Sequence, residues 1–160
     1  MKPIYIFDLD GTLALIEHRR HFVEGPKKDW RAFFAACVDD EPNIPVIRTL
    51  QTLRKAGAEI WIWSGRSDEV REETELWLHQ HGVFKGSLFL RRKLFDSVET
   101  FRMRKAGDHQ DDVTLKHDWL CEIEPPEYAR LTGVFDDRAR VVQMWRDSGI
   151  TCFQVAPGEF

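Results

Sequence analysis

The chain has little that would tie it to an oxidising compartment or to a membrane. It has three cysteines in 160 residues, Cys37, Cys121 and Cys152. The number is odd, and the spacing fits neither a zinc site nor a disulfide framework. Reduced thiols in a cytoplasmic setting are therefore expected. No apolar run approaches the roughly 20 residues that a membrane-spanning helix needs. Met1-Lys2-Pro3 leads straight into a strand pattern, so no signal or targeting segment is expected ahead of it. There is no internal repeat and no low-complexity tract, which excludes solenoid and linker-like classes. An excess of positive charge is also missing. The net charge is −4, so the chain as a whole is not an electrostatic glue for nucleic acid. What remains is a chain long enough for one domain over 1–160 with a real core, and with no protein partner to be inferred.

What the chain does have is concentrated at its start. Pro3-Ile4-Tyr5-Ile6-Phe7-Asp8-Leu9-Asp10-Gly11-Thr12 is a short apolar run, rich in β-branched and aromatic residues, that stops on two carboxylates and a glycine. This predicts a buried strand whose carboxyl end carries acids into a turn. In an open α/β sheet, ligands bind at that edge. Asp8 and Asp10 suit a hard divalent cation that prefers oxygen ligands, and either can serve as a nucleophile. Asp-Gly alone is usually only a turn. Asp-x-Asp-Gly-Thr directly behind a hydrophobic strand is far rarer, and it resembles the first motif of the haloacid dehalogenase (HAD) superfamily of phosphatases.

Further along, His18, Arg19, Arg20 and His21 form a basic group near that strand end, in a loop able to fold back over it. An arginine there can grip a phosphate bidentately. A short helix is expected over Asp29 to Val38, with Trp30, Phe33, Phe34 and Cys37 as core residues. A longer helix spans about Pro45 to Ala56, opened by proline and stopped by Gly57. Ala58 to Trp63 reads as a second buried strand. It ends in the turn Ser64-Gly65-Arg66, where a hydroxyl and backbone N–H groups can cradle phosphate. A helix over about Asp68 to His81 follows, with His79 and His81 at the surface. Ser87 to Arg91 and Thr100 to Met103 read as strands on either side of an inserted loop. From Lys85 to Lys105 there are seven basic residues and two acidic ones. That stretch is either a solvated charged face or a basic lid within 86–105 that receives a polyanion. Asp111 or Asp112 caps a helix to about Ile123, which carries Lys116 on the same face as Asp112. Leu131 to Phe135 is a further strand ending on Asp136-Asp137-Arg138. A helix over Ala139 to Ser148 and a last strand over Ile150 to Val155 close the pattern.

Strands alternating with helices predict a mainly parallel sheet wrapped on both faces. Right-handed crossovers put every strand's carboxyl end on one edge. Asp8, Asp10, Ser64, Asp136 and Asp137 should therefore converge. The expected fold class is α/β, a HAD-like Rossmannoid three-layer sandwich with only small cap or lid insertions. So many carboxylates around one point repel unless a cation sits among them, and Mg²⁺ suits an all-oxygen site. Its ligands would be Asp8, Asp10, Asp136 and Asp137, with Asp10 contributing more plausibly through its backbone carbonyl. Asp8 is then the nucleophile and Asp10 the acid and base. Ser64, Gly65 and Lys116 hold the phosphoryl oxygens.

Asp8 to Thr12, Ser64, Lys116 and Phe135-Asp136-Asp137 look like the four HAD motifs in order. Within the superfamily the chain is most similar to the 3′-phosphatase domain of phage-type polynucleotide kinase. Phe7 to Ala14, Ser64-Gly65-Arg66, Asp111-Asp112 with Lys116, Asp137-Arg138, Val141 to Arg146 and the ending Phe153 to Phe160 carry that similarity. It implies removal of 3′-phosphates from DNA or RNA ends through an aspartyl-phosphate, and functional roles for Arg19, Arg66 and Asp112. Arg19 is preferred to its neighbour Arg20 by its offset from Asp8. Arg104, in the basic stretch, joins them as a candidate substrate contact. The family's kinase half needs a Gly-x-x-x-x-Gly-Lys-Ser/Thr loop. No such loop occurs here, so no kinase activity is implied. The competing readings are a phosphatase of 3′- or 5′-mononucleotides and a non-catalytic module that binds nucleic-acid ends.

Overall fold

The computed structural model describes residues 1–84 and 100–158. The opening apolar run becomes the middle strand of a five-stranded parallel sheet, with order β5-β4-β1-β6-β7. These strands are β1 (Ile4–Phe7), β4 (Glu59–Ser67), β5 (Phe101–Arg104), β6 (Leu131–Arg138) and β7 (Cys152–Gly158). Period-two alternation splits each of the three inner strands between two cores. Ile4, Ile6, Trp61, Trp63 and Val134 face α4 (Asp112–Cys121) and α6 (Ala139–Asp147), meeting Leu120, Val141 and Trp145. Phe7 and Ile62 face the other way, toward α2 (Ile44–Lys55) and α3 (Arg71–Gln80), meeting Leu50, Trp77 and Leu78. The short α5 (Pro125–Tyr128) leads into β6. The result is the expected α/β three-layer arrangement. The chain leaves β1 toward β4 on one side and returns to β6 on the other. The strand order therefore reverses at β1, where a crevice opens at the carboxyl edge.

Between β1 and α2 the chain makes an excursion above that edge. A two-residue strand β2 (Ala14–Leu15) pairs antiparallel with β3 (Glu41–Pro42) at its base. The excursion contains a 3-10 helix (Glu17–Phe22), α1 (Trp30–Ala35) and a second 3-10 helix (Ala36–Asp39). Ile16, Val23 and Phe33 give it a small core of its own. The sequence suggests one helix over Asp29 to Val38, but the α-helical part stops at Ala35. Asp39 and Asp40 place negative charge at the helix's carboxyl end, against its dipole, and Glu41 precedes a proline that favours extended backbone. Trp30, expected in the core, is 44% exposed, whereas Phe33 and Cys37 are buried.

Two further boundaries differ from the sequence reading. Ser64-Gly65-Arg66 is not a turn after β4. It belongs to the strand, which runs on to Ser67 with a register shift against β5 between Ser64 and Ser67. Likewise Asp136-Asp137-Arg138 lies within β6, where the pairing with β7 shifts between Asp136 and Arg138. Such irregularities re-aim side chains at a sheet edge. The expected strand Ser87 to Arg91 and most of the basic 86–105 segment lie outside the described residues. Among the described residues no helix is long and apolar enough to cross a membrane.

Candidate active site

Asp8 follows β1 directly, and its N–H donates to the carbonyl of Phe135 at 2.9 Å. That bond ties the end of β1 to β6 just before Asp136 and Asp137. The carboxylates of Asp8, Asp136 and Asp137 can all place oxygens within 4.8 Å of one another, and all three are buried. Lys116, projecting from α4, donates its Nζ protons to Asp8 Oδ1 at 2.6 Å and Asp136 Oδ2 at 2.8 Å. Burial presses the Lys116 ammonium toward neutrality, but Asp136 and Asp8 more than offset this and hold it charged. The carboxylates remain in excess. Burial, then the neighbouring Asp136 and Asp137, raises the Asp8 carboxyl well above its ordinary value against the pull of Lys116. Burial and Asp136 push Asp137 up to about 7.

Three carboxylates and one ammonium leave two negative charges when all are ionised. A divalent cation would supply the missing balance, and oxygen-only donors suit Mg²⁺. The residues present therefore fit such an ion. Gly11 is required beside them. Its φ is +84°, and a Cβ there would sit 2.6 Å from Asp137 Cγ.

Asp10 is turned away from this cluster. Its Oδ1 accepts from Arg19 Nη2 at 2.6 Å and, in a very short bond, from Arg66 Nη2. Burial alone would raise the Asp10 carboxyl, but Arg66 and Arg19 outweigh it and hold the group far below the usual carboxylate range. Both arginines are fully buried and also share a second carboxylate, Asp40. Arg19 donates to it through Nε at 2.6 Å and Nη2 at 2.7 Å, and Arg66 through Nη2 at 2.9 Å. The His18 ring lies 2.9 Å from the same carboxylate. The Arg19 guanidinium also stacks over the Phe33 ring, 4.1 Å from its centre. The basic group after β2 thus sends Arg19 inward and leaves Arg20 to pair with Glu24 on the surface.

A third network lies on the other side of the crevice. Asp111, not Asp112, caps α4, accepting from the N–H of Val113 at 3.0 Å. That frees the Asp112 carboxylate to bind Arg104 Nη2 at 2.5 Å and, in a very short contact, Arg138. Arg104 also donates to the carbonyls of Gly65 at 2.8 Å and Gln110 at 2.7 Å. Gly65 has no room for a side chain, because a Cβ would meet Asp112 Oδ1 at 2.5 Å.

A cavity of about 580 Å³ opens over these groups. Asp8, Asp10, Gly65, Arg104, Asp112, Lys116, Asp136 and Asp137 all line it. Ser64, Arg19 and Arg66 stand behind its wall. The Ser64 hydroxyl accepts from the N–H of Arg66 at 3.1 Å and is fully buried. Asp40 has no signature in the sequence, where it sits in the short acidic run Asp39-Asp40-Glu41. Arg138 belongs with Asp137 to the stretches that carry the family resemblance, but no role was expected of it. Topology places both.

The fold is shared with solved structures of other proteins. The class C acid phosphatase from Bacillus anthracis superposes with a TM-score of 0.64 at 15% identity, over 99% of this chain and 67% of that one. CbbY from Rhodobacter sphaeroides, in complex with phosphate, gives 0.60 at 17% identity over 99% and 87%. These likenesses show that the fold is shared.

Sequence identity is higher with a chain of the Pnkp1/Rnl/Hen1 complex. The TM-score is 0.76 at 28% identity, over 99% of this chain and 48% of that one. A viral protein described as a candidate bifunctional polynucleotide kinase/RNA ligase, from Autographa californica nuclear polyhedrosis virus, is 31% identical over 150 residues. That match takes in 92% of this chain and 18% of the viral protein. The chain therefore spans about half the length of the first and under a fifth of the second. The model of the polynucleotide kinase PNKP phosphatase domain matches residues 2–160, and the chain belongs to that family.

Proposed function

We propose that this phosphatase domain removes 3′-phosphates from DNA or RNA ends with the help of Mg²⁺. The observation that carries the proposal is the buried Asp8–Asp136–Asp137 cluster, with Lys116 bridging two of its members, at the floor of a cavity large enough for more than a phosphate. Membership of the polynucleotide kinase phosphatase family directs the choice of substrate.

Asp8, Asp136 and Asp137 would hold the ion, which when bound neutralises charge on the phosphoryl group and lets a carboxylate approach an anion. Asp8 then forms a bond to phosphorus while the ester bond to the 3′ oxygen breaks. The leaving oxygen takes a proton from Asp10. Water next attacks the aspartyl-phosphate and gives its proton to Asp10, which releases inorganic phosphate and restores Asp8. Lys116 balances charge on Asp8 and lies close enough to the cavity to meet a phosphoryl oxygen.

Arg19 and Arg66 govern Asp10 from behind. In the free protein they hold it ionised, the form that the hydrolysis half needs. To protonate the leaving oxygen, Asp10 must first take up a proton from solvent as the substrate binds and one of its arginine bonds opens. In this reading their first partner is Asp10, and a phosphate contact by either requires one of its present bonds to open. Asp112 keeps Arg104 and Arg138 beside the cavity mouth.

The test is phosphate release from a 3′-phosphorylated oligonucleotide by wild type and Asp8→Asn, with Mg²⁺ and with chelator. 3′- and 5′-mononucleotides are run alongside. Release by wild type only, and only with the ion, is expected. Wild-type activity in Asp8→Asn removes the mechanism, and a strong preference for the 5′-mononucleotide removes the substrate.

A further inference from the structure

One wall of the cavity supplies none of the reacting groups named above. It comes from the excursion over the sheet edge and consists of Val23, Lys28, Trp30, Arg31, Phe33 and Phe34. Phe33 and Val23 are buried and form that lobe's small core. Trp30 is different. Of the six tryptophans, four are buried, Trp119 is half-buried, and Trp30 alone is exposed. It stands edge-on to Phe33, with ring centres 5.8 Å apart and planes at 86°, and is tilted against Phe34 at 6.0 Å. The Lys28 ammonium lies 5.6 Å from its ring centre. This wall contributes two cations, Lys28 and Arg31, and no acid to the cavity lining. It is also joined to the chemistry by direct contacts, since Phe33 carries the Arg19 guanidinium, which in turn holds Asp10.

An exposed aromatic surface flanked by cations, beside a phosphate site, matches a nucleotide: a π-face to stack and a backbone phosphate to neutralise. The acidic floor and the aromatic-basic wall divide the cavity between the two ends of such a ligand. We infer that Trp30, backed by Phe33 and Phe34, stacks the base of the nucleotide that bears the 3′-phosphate, with Lys28 and Arg31 receiving the adjoining backbone. The inference rests on the proposed nucleic-acid reading and adds to it the residues that recognise the base. Stacking does not depend on base identity, so the wall selects for the presence of a base rather than for its sequence.

The experiment compares two 3′-phosphorylated oligonucleotides that differ only in whether the last nucleotide has a base, with glycerol 2-phosphate as a third substrate. Stacking contributions of roughly 1–3 kcal/mol per base predict that wild type prefers the complete end by roughly 5- to 150-fold in kcat/KM. Trp30→Ala brings that ratio close to one, and Trp30→Phe restores part of it. A merely structural defect lowers both oligonucleotides alike and leaves the ratio intact, and that result overturns the inference. Equal turnover of the two ends by wild type also overturns it while leaving the phosphatase reading in place. Turnover of glycerol 2-phosphate with none of either oligonucleotide sinks the nucleic-acid reading itself, and the inference with it.

Discussion

Asp40 is a buried acid on which two buried arginines depend. Arg19, Arg66, Asp10 and Asp40 form a buried group of two positive and two negative charges. The Asp40 side chain is inaccessible and accepts three hydrogen bonds from the two guanidiniums. Asp40→Asn keeps the shape but leaves one uncompensated positive charge in the interior. Breaking one partner of a buried ion pair costs about 3–5 kcal/mol, and the retained amide oxygen places this variant near 3. For a domain of this size that lowers the melting temperature by about 6–12 °C. Circular dichroism melts of wild type, Asp40→Asn, Arg19→Met and the double variant measure it. The double variant restores charge balance, so its loss should fall well short of the sum of the single losses. An Asp40→Asn melt within about 2 °C of wild type would refute the reasoning, because a shift that small is below about 1 kcal/mol.

Two further outcomes follow from the aspartate cluster. Asp8 and Asp137 have carboxyls raised by burial and by their neighbours, Asp137 to about 7. The folded chain therefore keeps protons that the unfolded chain releases. That stabilisation is complete below the ordinary carboxylate pKa and is lost as pH rises through about 7, so with chelator present the melting temperature should fall between about pH 5 and pH 8. Asp10 works with the opposite sign, but only in the acid range below its unfolded value. Mg²⁺ should flatten the slope by stabilising the ionised cluster, and a flat profile in chelator would contradict the assigned burial. Gly11→Ala adds a Cβ against Asp137 at a backbone conformation that favours glycine. It should weaken Mg²⁺ binding by about 10–100-fold in titration calorimetry, and unchanged affinity would show that Asp137 is not held there.

The parallel sheet and its functional edge were legible because they rest on period and direction. Ile4 to Phe7, Ala58 to Trp63 and Leu131 to Phe135 are apolar runs that end on polar residues, and right-handed connections leave their carboxyl ends only one place to go. Lys116 was legible only through the family resemblance, because a lone helical lysine is usually at the surface. The partners across long separations were not. Asp40 lies 21 residues from Arg19 and 26 from Arg66, in an acidic run with no local signature. The reach of Arg19 toward Asp10, rather than toward solvent like Arg20, depends on how a 3-10 helix faces the sheet edge. The continuation of β4 through Ser64-Gly65-Arg66 escaped for a similar reason, since a strand irregularity and a tight turn use the same small residues. Trp30 followed helical spacing correctly, but spacing does not say which side of a small lobe faces a cavity.

The central claim is that Asp8 takes the phosphoryl group from a 3′ end. The most direct measurement is an acid-quenched single turnover of an oligonucleotide labelled in its 3′-phosphate, with Mg²⁺, followed by mapping of the labelled protein. The account predicts transient label on the peptide containing Pro3 to Thr12, lost on treatment with hydroxylamine and absent from Asp8→Asn. Phosphate released by wild type with no label passing through the protein, or label carried at another residue, would contradict it.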